Sequence, residues 1–108
     1  MAADSPAFLA LWNDVDPARD EEYNCWHTFE HVPERVGIAG IVSARRYLAP
    51  ERGERRYFTL YDLDLLAALD GAEYLDVVHR PTAWSLSMRP SLRNFLRRSL
   101  RLQHSECC

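Results

Sequence analysis

Two imidazoles and a carboxylate stand within five consecutive residues, His27-Thr28-Phe29-Glu30-His31. They lie in the most chemically capable stretch of the 108-residue chain, Tyr23 to Arg35. Side chains four apart on a helix are neighbours, so His27 and His31 can act together. One chemistry open to them is proton transfer. An imidazole titrates near neutrality, so His31 can serve as a general base in a pocket, with Glu30 or a backbone carbonyl fixing its tautomer. The other is metal binding: in H-x-x-E-H order, two imidazoles at i and i+4 can converge on one tetrahedral zinc ion while the Glu activates a water. That scheme needs a third protein ligand and belongs to far larger proteins, so no metal is expected, and His27 and His31 are only its candidate ligands. A structural role competes with both, because near a helix C-terminus His31 can cap carbonyls as imidazolium and pair with Glu34 or Glu30.

Further residues could share such a pocket. Asn13, Trp26, His27, Tyr47, Tyr57, Tyr61, His79 and Trp84 offer hydrogen bonds and flat walls for a planar ligand. Packing in the core or against a partner is the competing account for most of the aromatics. Asn13 stands apart, since a polar amide at the end of a buried strand needs a partner. Arg45-Arg46 and Arg55-Arg56 could hold an anion, or form ion pairs with Glu51, Glu54 or Asp62. Arg89, Arg93, Arg97 and Arg101 recur every four residues, which suits a solvated helical face.

Positioning these groups is the task of the surrounding elements. Pro6 to Asp14 is a short apolar run that fits a buried first strand, with Phe8, Ala10 and Trp12 on one side and Leu9, Leu11 and Asn13 on the other. Asp16-Pro17 makes a helix start, and Asp20, Glu21 and Glu22 place negative charge in its early turns. The helix is expected to run to about Val32, where Pro33 weakens or ends it; Gly37 and Gly40 flank a turn. On it Tyr23, Trp26, His27, Glu30 and, at the edge, His31 form one stripe, and Cys25, Phe29 and Val32 a second, apolar one. Such a helix covers a sheet and leaves a cavity beneath.

Ile41 to Leu48 alternates as a half-buried strand, Pro50 to Glu54 forms a hairpin turn, and Arg56 to Leu63 is a third strand rich in aromatics. Leu65 to about Val78 reads as helical with an interruption at Gly71. Thr82 can cap a short helix, Ala83 to Met88, closed by Pro90. The tail carries two patterns: the arginine spacing is helical, whereas Ser99 to His104 alternates. A strand from about Asn94 to His104 is preferred, because a sheet of three strands is thin. The order βαββαβ gives an α+β fold of ferredoxin-like type, an antiparallel sheet with its helices on one face. The other face, carrying residues such as Tyr47 or Tyr57, is left for a partner, and a homodimer joined sheet to sheet is the economical answer.

Length and composition limit the function classes. The chain is expected to be a single domain over residues 1–108. Its net charge of −3 argues against a nucleic-acid binder, and all 13 basic residues are Arg. No run approaches the roughly 18 apolar residues of a membrane span, and the N-terminus lacks the layout of a secretion signal, so a cytoplasmic location is the default. Cys25 and the Cys107-Cys108 pair form no metal or disulfide pattern and point to reduced thiols.

The pattern Trp26-x3-Glu30-His31-x-Pro33-Glu34-Arg35, then Gly40, Ala44-Arg45-Arg46-Tyr47 and Arg56-Tyr57-x-Thr59-Leu60-Tyr61 resembles the dimeric α+β barrel superfamily. Within it the chain is most similar to small proteins related to the EthD family, a likeness extended by Ala72-Glu73-Tyr74 and Pro81-Thr82-x-Trp84. The resemblance implies dimerisation through sheets and a small-molecule pocket between sheet and helices. It also implies a choice among cofactor-free monooxygenation of polyketide-type aromatics, isomerisation, cyclisation and haem degradation. His31 matches the histidine such proteins carry near the end of the first helix, whereas an aromatic or polar residue is more usual at His27. A haem-degrading relative would use Asn, Trp and His together. Asn13, Trp84 and His79 could take those roles, but His79 precedes Trp84, a departure from that order. The expected activity is therefore cofactor-independent action on an apolar or aromatic metabolite. The alternatives are a non-catalytic binding or scaffolding dimer, and a metal- or haem-dependent enzyme using His27, Glu30 and His31.

Overall fold

The computed structural model describes residues 7–50 and 53–102. Strands β1 (Ala7–Val15), β2 (Ile41–Leu48), β3 (Tyr57–Leu63) and β4 (Leu92–Arg101) form one antiparallel sheet in the order β2-β3-β1-β4. Between them lie helices α1 (Asp20–Trp26), α2 (Val32–Val36), α3 (Ala72–His79) and α4 (Ala83–Met88). The tail is a strand, with Arg101 opposite Ala7 and Leu92 opposite Val15, because central β1 needs partners for both rows of its backbone groups. The hairpin tip at Glu51 and Arg52, the expected end of β4 at His104 and the Cys107-Cys108 pair lie outside the described residues.

Alternation along β1 and β3 divides the sheet into two faces. Leu9, Tyr57, Thr59, Tyr61 and Leu63 are buried against the helices. Tyr57 therefore does not share the open face expected for it, because its register opposite Asn13 turns it inward. The open face carries Phe8, Ala10, Trp12, Tyr47, Phe58, Leu60, Leu96 and Leu100. Trp12 and Phe58 touch at 4.8 Å between ring centroids, and Tyr47 stacks on Phe58 at 5.9 Å.

The first helix passes beyond Pro33. α1 continues through a π turn (His27–His31), in which the Val32 N–H donates to the His27 carbonyl, and then into α2. A proline inside a regular helix lacks its N–H and clashes with the carbonyl four residues back. The π turn changes the hydrogen-bond register just before Pro33 and absorbs that defect. The helix is then closed by the Gly37 N–H donating to the Pro33 carbonyl at 3.1 Å. The buried stripe is Tyr23, Trp26 and His27; of the expected apolar stripe only Val32 packs on the core, whereas Cys25 is exposed and Phe29 is 74% exposed. The larger aromatic surface is the one removed from water. Arg46 fastens β2 to α1, donating to Thr28 Oγ1 at 2.8 Å and Asn24 Oδ1 at 2.9 Å.

Local chemistry accounts for the ends of the elements. Asp16 Oδ1 accepts from the Ala18 N–H, and Thr82 Oγ1 accepts from the Ser85 N–H, as their cap positions predict. Gly40 has φ +95°, and a Cβ there would lie 2.6 Å from Ala68 Cβ, so only glycine fits the turn before β2. A bulge between Trp12 and Asp14 puts Asn94 at φ 54°, while Arg55 stands at φ 59° in the hairpin. Asp14 holds both left-handed residues: its carboxylate accepts from the N–H groups of Arg55 (2.6 Å) and Arg56 (2.9 Å) and from Asn94 Nδ2 (2.9 Å). Burial opposes ionisation of Asp14, but these donors prevail and hold its carboxyl below the usual range.

The core is in two parts. Leu9, Ile38, Ile41, Tyr61, Leu63, Leu69 and Tyr74 form one cluster; Val15, Tyr23, Trp26, Tyr57 and Met88 form the other. Where the two fail to meet, a cavity opens between sheet and helices.

Candidate functional site

The cavity has a volume of about 280 Å³ and is walled by β1, the first helix, α3, the start of α4 and β4. Leu11, Trp26, Val77, Val78, Leu92 and Phe95 make it largely apolar. Its polar groups are Asn13, Tyr23, His27, His31, Tyr74, Ser85 and, among charged residues, Glu34, Arg35, Arg89 and Arg97. This combination of apolar walls and a few polar groups is that of a small-molecule site.

Most of the polar groups are fixed. Tyr23 donates its hydroxyl to Asn13 Oδ1 at 3.2 Å, and the Asn13 amide donates to the Asp14 carbonyl at 3.2 Å, so the buried strand-end amide has its partners. Trp26 Nε1 donates to Ser85 Oγ at 3.1 Å. Glu30 accepts from Thr82 Oγ1 at 2.8 Å and Ser85 Oγ at 3.5 Å, which ties the helix to α4. Glu30 does not line the cavity and makes no hydrogen bond with His31, so it does not set that imidazole's tautomer.

The two histidines are the exception. Their ring centroids lie 4.8 Å apart at 31°, with Trp26 4.5 Å from His31, and the Nδ1 atom of each is buried without a partner. Burial, then the charges of Arg46 and Arg35, lowers the pKa of His27 to about 3. Burial, then Arg35, His27, Arg46 and Arg89, lowers that of His31 to about 2. Both imidazoles are neutral at physiological pH. His31 is therefore not an imidazolium cap, and its surroundings do not give it the near-neutral pKa expected of a free pocket base. Among the described residues no group of three or more His, Cys, Asp or Glu is placed to hold a metal ion.

Of the residues singled out in the sequence, Asn13, Trp26, His27 and His31 come together around the cavity. The others do not line it. Tyr47 is on the far side of the sheet. Tyr57 packs with Tyr23 at 4.8 Å; its hydroxyl donates to Asp20 Oδ1 and accepts from Asn24 Nδ2 at 3.0 Å. Tyr61 is wholly buried, with a hydroxyl that has no partner and a pKa pushed up by burial. His79 is exposed at the end of α3, and Trp84 donates to Glu22 Oε2 at 3.2 Å. Asn13, Trp84 and His79 thus do not converge. Several polar lining residues escaped sequence reading as site residues: Tyr23, Glu34, Arg35, Tyr74, Ser85, Arg89 and Arg97. Arg89 and Arg97 did stand out in the sequence, but as members of a solvated helical stripe.

No protein-family model matches the chain, and no curated protein does. Solved structures do. A dimeric ferredoxin-like protein from an uncultured marine organism superposes with a TM-score of 0.71 at 8% identity, over 100% of this chain and 96% of that one. A dabb family protein with a ferredoxin-like fold from Mesorhizobium loti gives 0.64 at 11% identity, over 93% and 99%. The haem degrader MhuD from Mycobacterium tuberculosis, with two haems bound in its active site, gives 0.62 at 15% identity, over 94% and 99%. Likeness at such identities shows the fold alone: the chain has a ferredoxin-like architecture.

Proposed function

We propose that the protein is a cytoplasmic homodimer joined through its open sheet faces. Each subunit binds a small apolar or aromatic molecule in the cavity under the first helix and acts on it without a cofactor. The observation that carries this reading is the cavity itself, where a buried and a half-buried imidazole, each with an unpartnered Nδ1 atom, border a largely apolar hollow. A neutral His31 is free to take a proton from an acidic C–H or O–H of a bound molecule, the opening step of an isomerisation or cyclisation. The dimer is supported by the continuous apolar strip from Tyr47 to Leu100 and by the dimeric neighbour of the same fold. No helix among the described residues is long and apolar enough to cross a membrane.

A second reading is a non-catalytic binding dimer. The low pKa of His31 favours it, since an imidazole so reluctant to protonate is a weak base. His31→Ala separates the two. Loss of turnover with retained ligand affinity supports catalysis, and unchanged turnover removes His31 from the mechanism.

A further inference from the structure

The cavity is not electrically neutral. Three guanidinium groups line it, those of Arg35, Arg89 and Arg97, against the single carboxylate of Glu34. This positive hollow belongs to a chain whose net charge is −3. Glu34 is already taken, accepting from Arg35 Nη1 at 3.0 Å. Arg89 and Arg97 have no carboxylate in ion-pair range among the described residues. Their polar partners are neutral and distant: Arg89 donates to the Val78 carbonyl at 3.4 Å, and Arg97 to the Tyr74 hydroxyl at 3.3 Å. The two come from different elements, the turn after α4 and the middle of β4, yet border one hollow. His27 and His31 line the same hollow.

We infer that the cavity is built for an anion with an apolar body, namely an aromatic or apolar carboxylic acid bound as its carboxylate and paired with Arg89 and Arg97. The inference rests on the reading of this cavity as the ligand site and adds the ligand's chemical class. A guanidinium presents two parallel N–H donors that match the planar fork of a carboxylate. The body of the acid would lie against Trp26, Val77 and Phe95.

Calorimetric titration with benzoate, cinnamate and 2-naphthoate, each beside its uncharged amide, tests the assignment. At least one acid is expected to bind about tenfold more tightly than its amide, an advantage that shrinks with added salt. In Arg89→Gln and Arg97→Gln the acid should lose that advantage while the amide's affinity stays unchanged; in Arg101→Gln, on the same strand but off the cavity, nothing should change. Unaltered circular dichroism confirms that each variant is folded. Amides binding as well as their acids, or an acid preference that survives both cavity substitutions, overturns the assignment and leaves the apolar site standing. No binding by any acid or amide overturns both.

Discussion

The imidazoles of His27 and His31 lie 4.8 Å apart across the π turn, each with a buried Nδ1 that has no partner. Among the charged groups acting on them are the guanidiniums of Arg35, Arg46 and Arg89. Both folded-state pKa values, about 3 and about 2, lie below the ordinary 6.5. On acidification the unfolded chain therefore takes up protons first. The stability these groups protect is whole above pH 6.5 and is lost as pH falls towards their folded values. The slope is about 1 kcal/mol per pH unit for each histidine. The ring resonances of His27 and His31 should stay flat from about pH 8 to pH 5, and urea unfolding should weaken between the same limits. A midpoint near neutrality for either ring refutes the assignment.

Two tyrosines give opposite expectations. The Tyr61 hydroxyl is buried without a partner, so Tyr61→Phe removes an unsatisfied group and should leave stability unchanged or raise it by up to about 1 kcal/mol. Tyr23 donates to Asn13 Oδ1, so Tyr23→Phe strands that acceptor and should cost about 1–2 kcal/mol. Denaturant midpoints of the two variants should fall on opposite sides of, or at different distances from, the parent value.

Asp14 serves three donors and two left-handed residues at once. Asp14→Ala leaves Arg55 and Asn94 strained and without this anchor, at a cost of about 2–4 kcal/mol measured by thermal or chemical unfolding. Because its pKa is lowered, the stability it contributes is present above pH 3.8 and declines below it. The variant should lose that part of the parent's acid sensitivity.

Phe58 sits between Trp12 and Tyr47 on the open face. Phe58→Arg should halve the particle mass measured by light scattering, from twice 12.5 kDa to one chain, with the subunit's circular dichroism retained. A parent protein that already scatters as one chain would end the dimer reading.

Much of this arrangement was legible in the residues. β2 runs from Ile41 to Leu48 as its alternation requires, with Gly40 before it and Pro50 after. Thr82 announced α4 and Gly71 the start of α3. What stayed hidden depends on register. A π turn has no compositional mark, so the helix looked finished at Pro33. In an unbroken strand, residues four apart share a face, yet Arg93 pairs with Asp14 on the open side and Arg97 with Leu11 on the cavity side. The bulge at Asn94 exchanges the faces between them, and no spacing rule foresees that. The arginine period therefore suggested a solvated helical face, when it conceals two cavity residues, Arg89 and Arg97.

That exchange gives β4 a double allegiance. Leu96 looks out on the open face, where the proposed second copy would dock, while its neighbours Phe95 and Arg97 border the hollow, so one backbone segment would serve both. Docking of a partner and occupancy by a ligand then bias the same few peptide units, and linkage makes the bias mutual. A molecule that settles against Arg97 should tighten the pair, and dilution into single subunits should loosen its grip on that molecule.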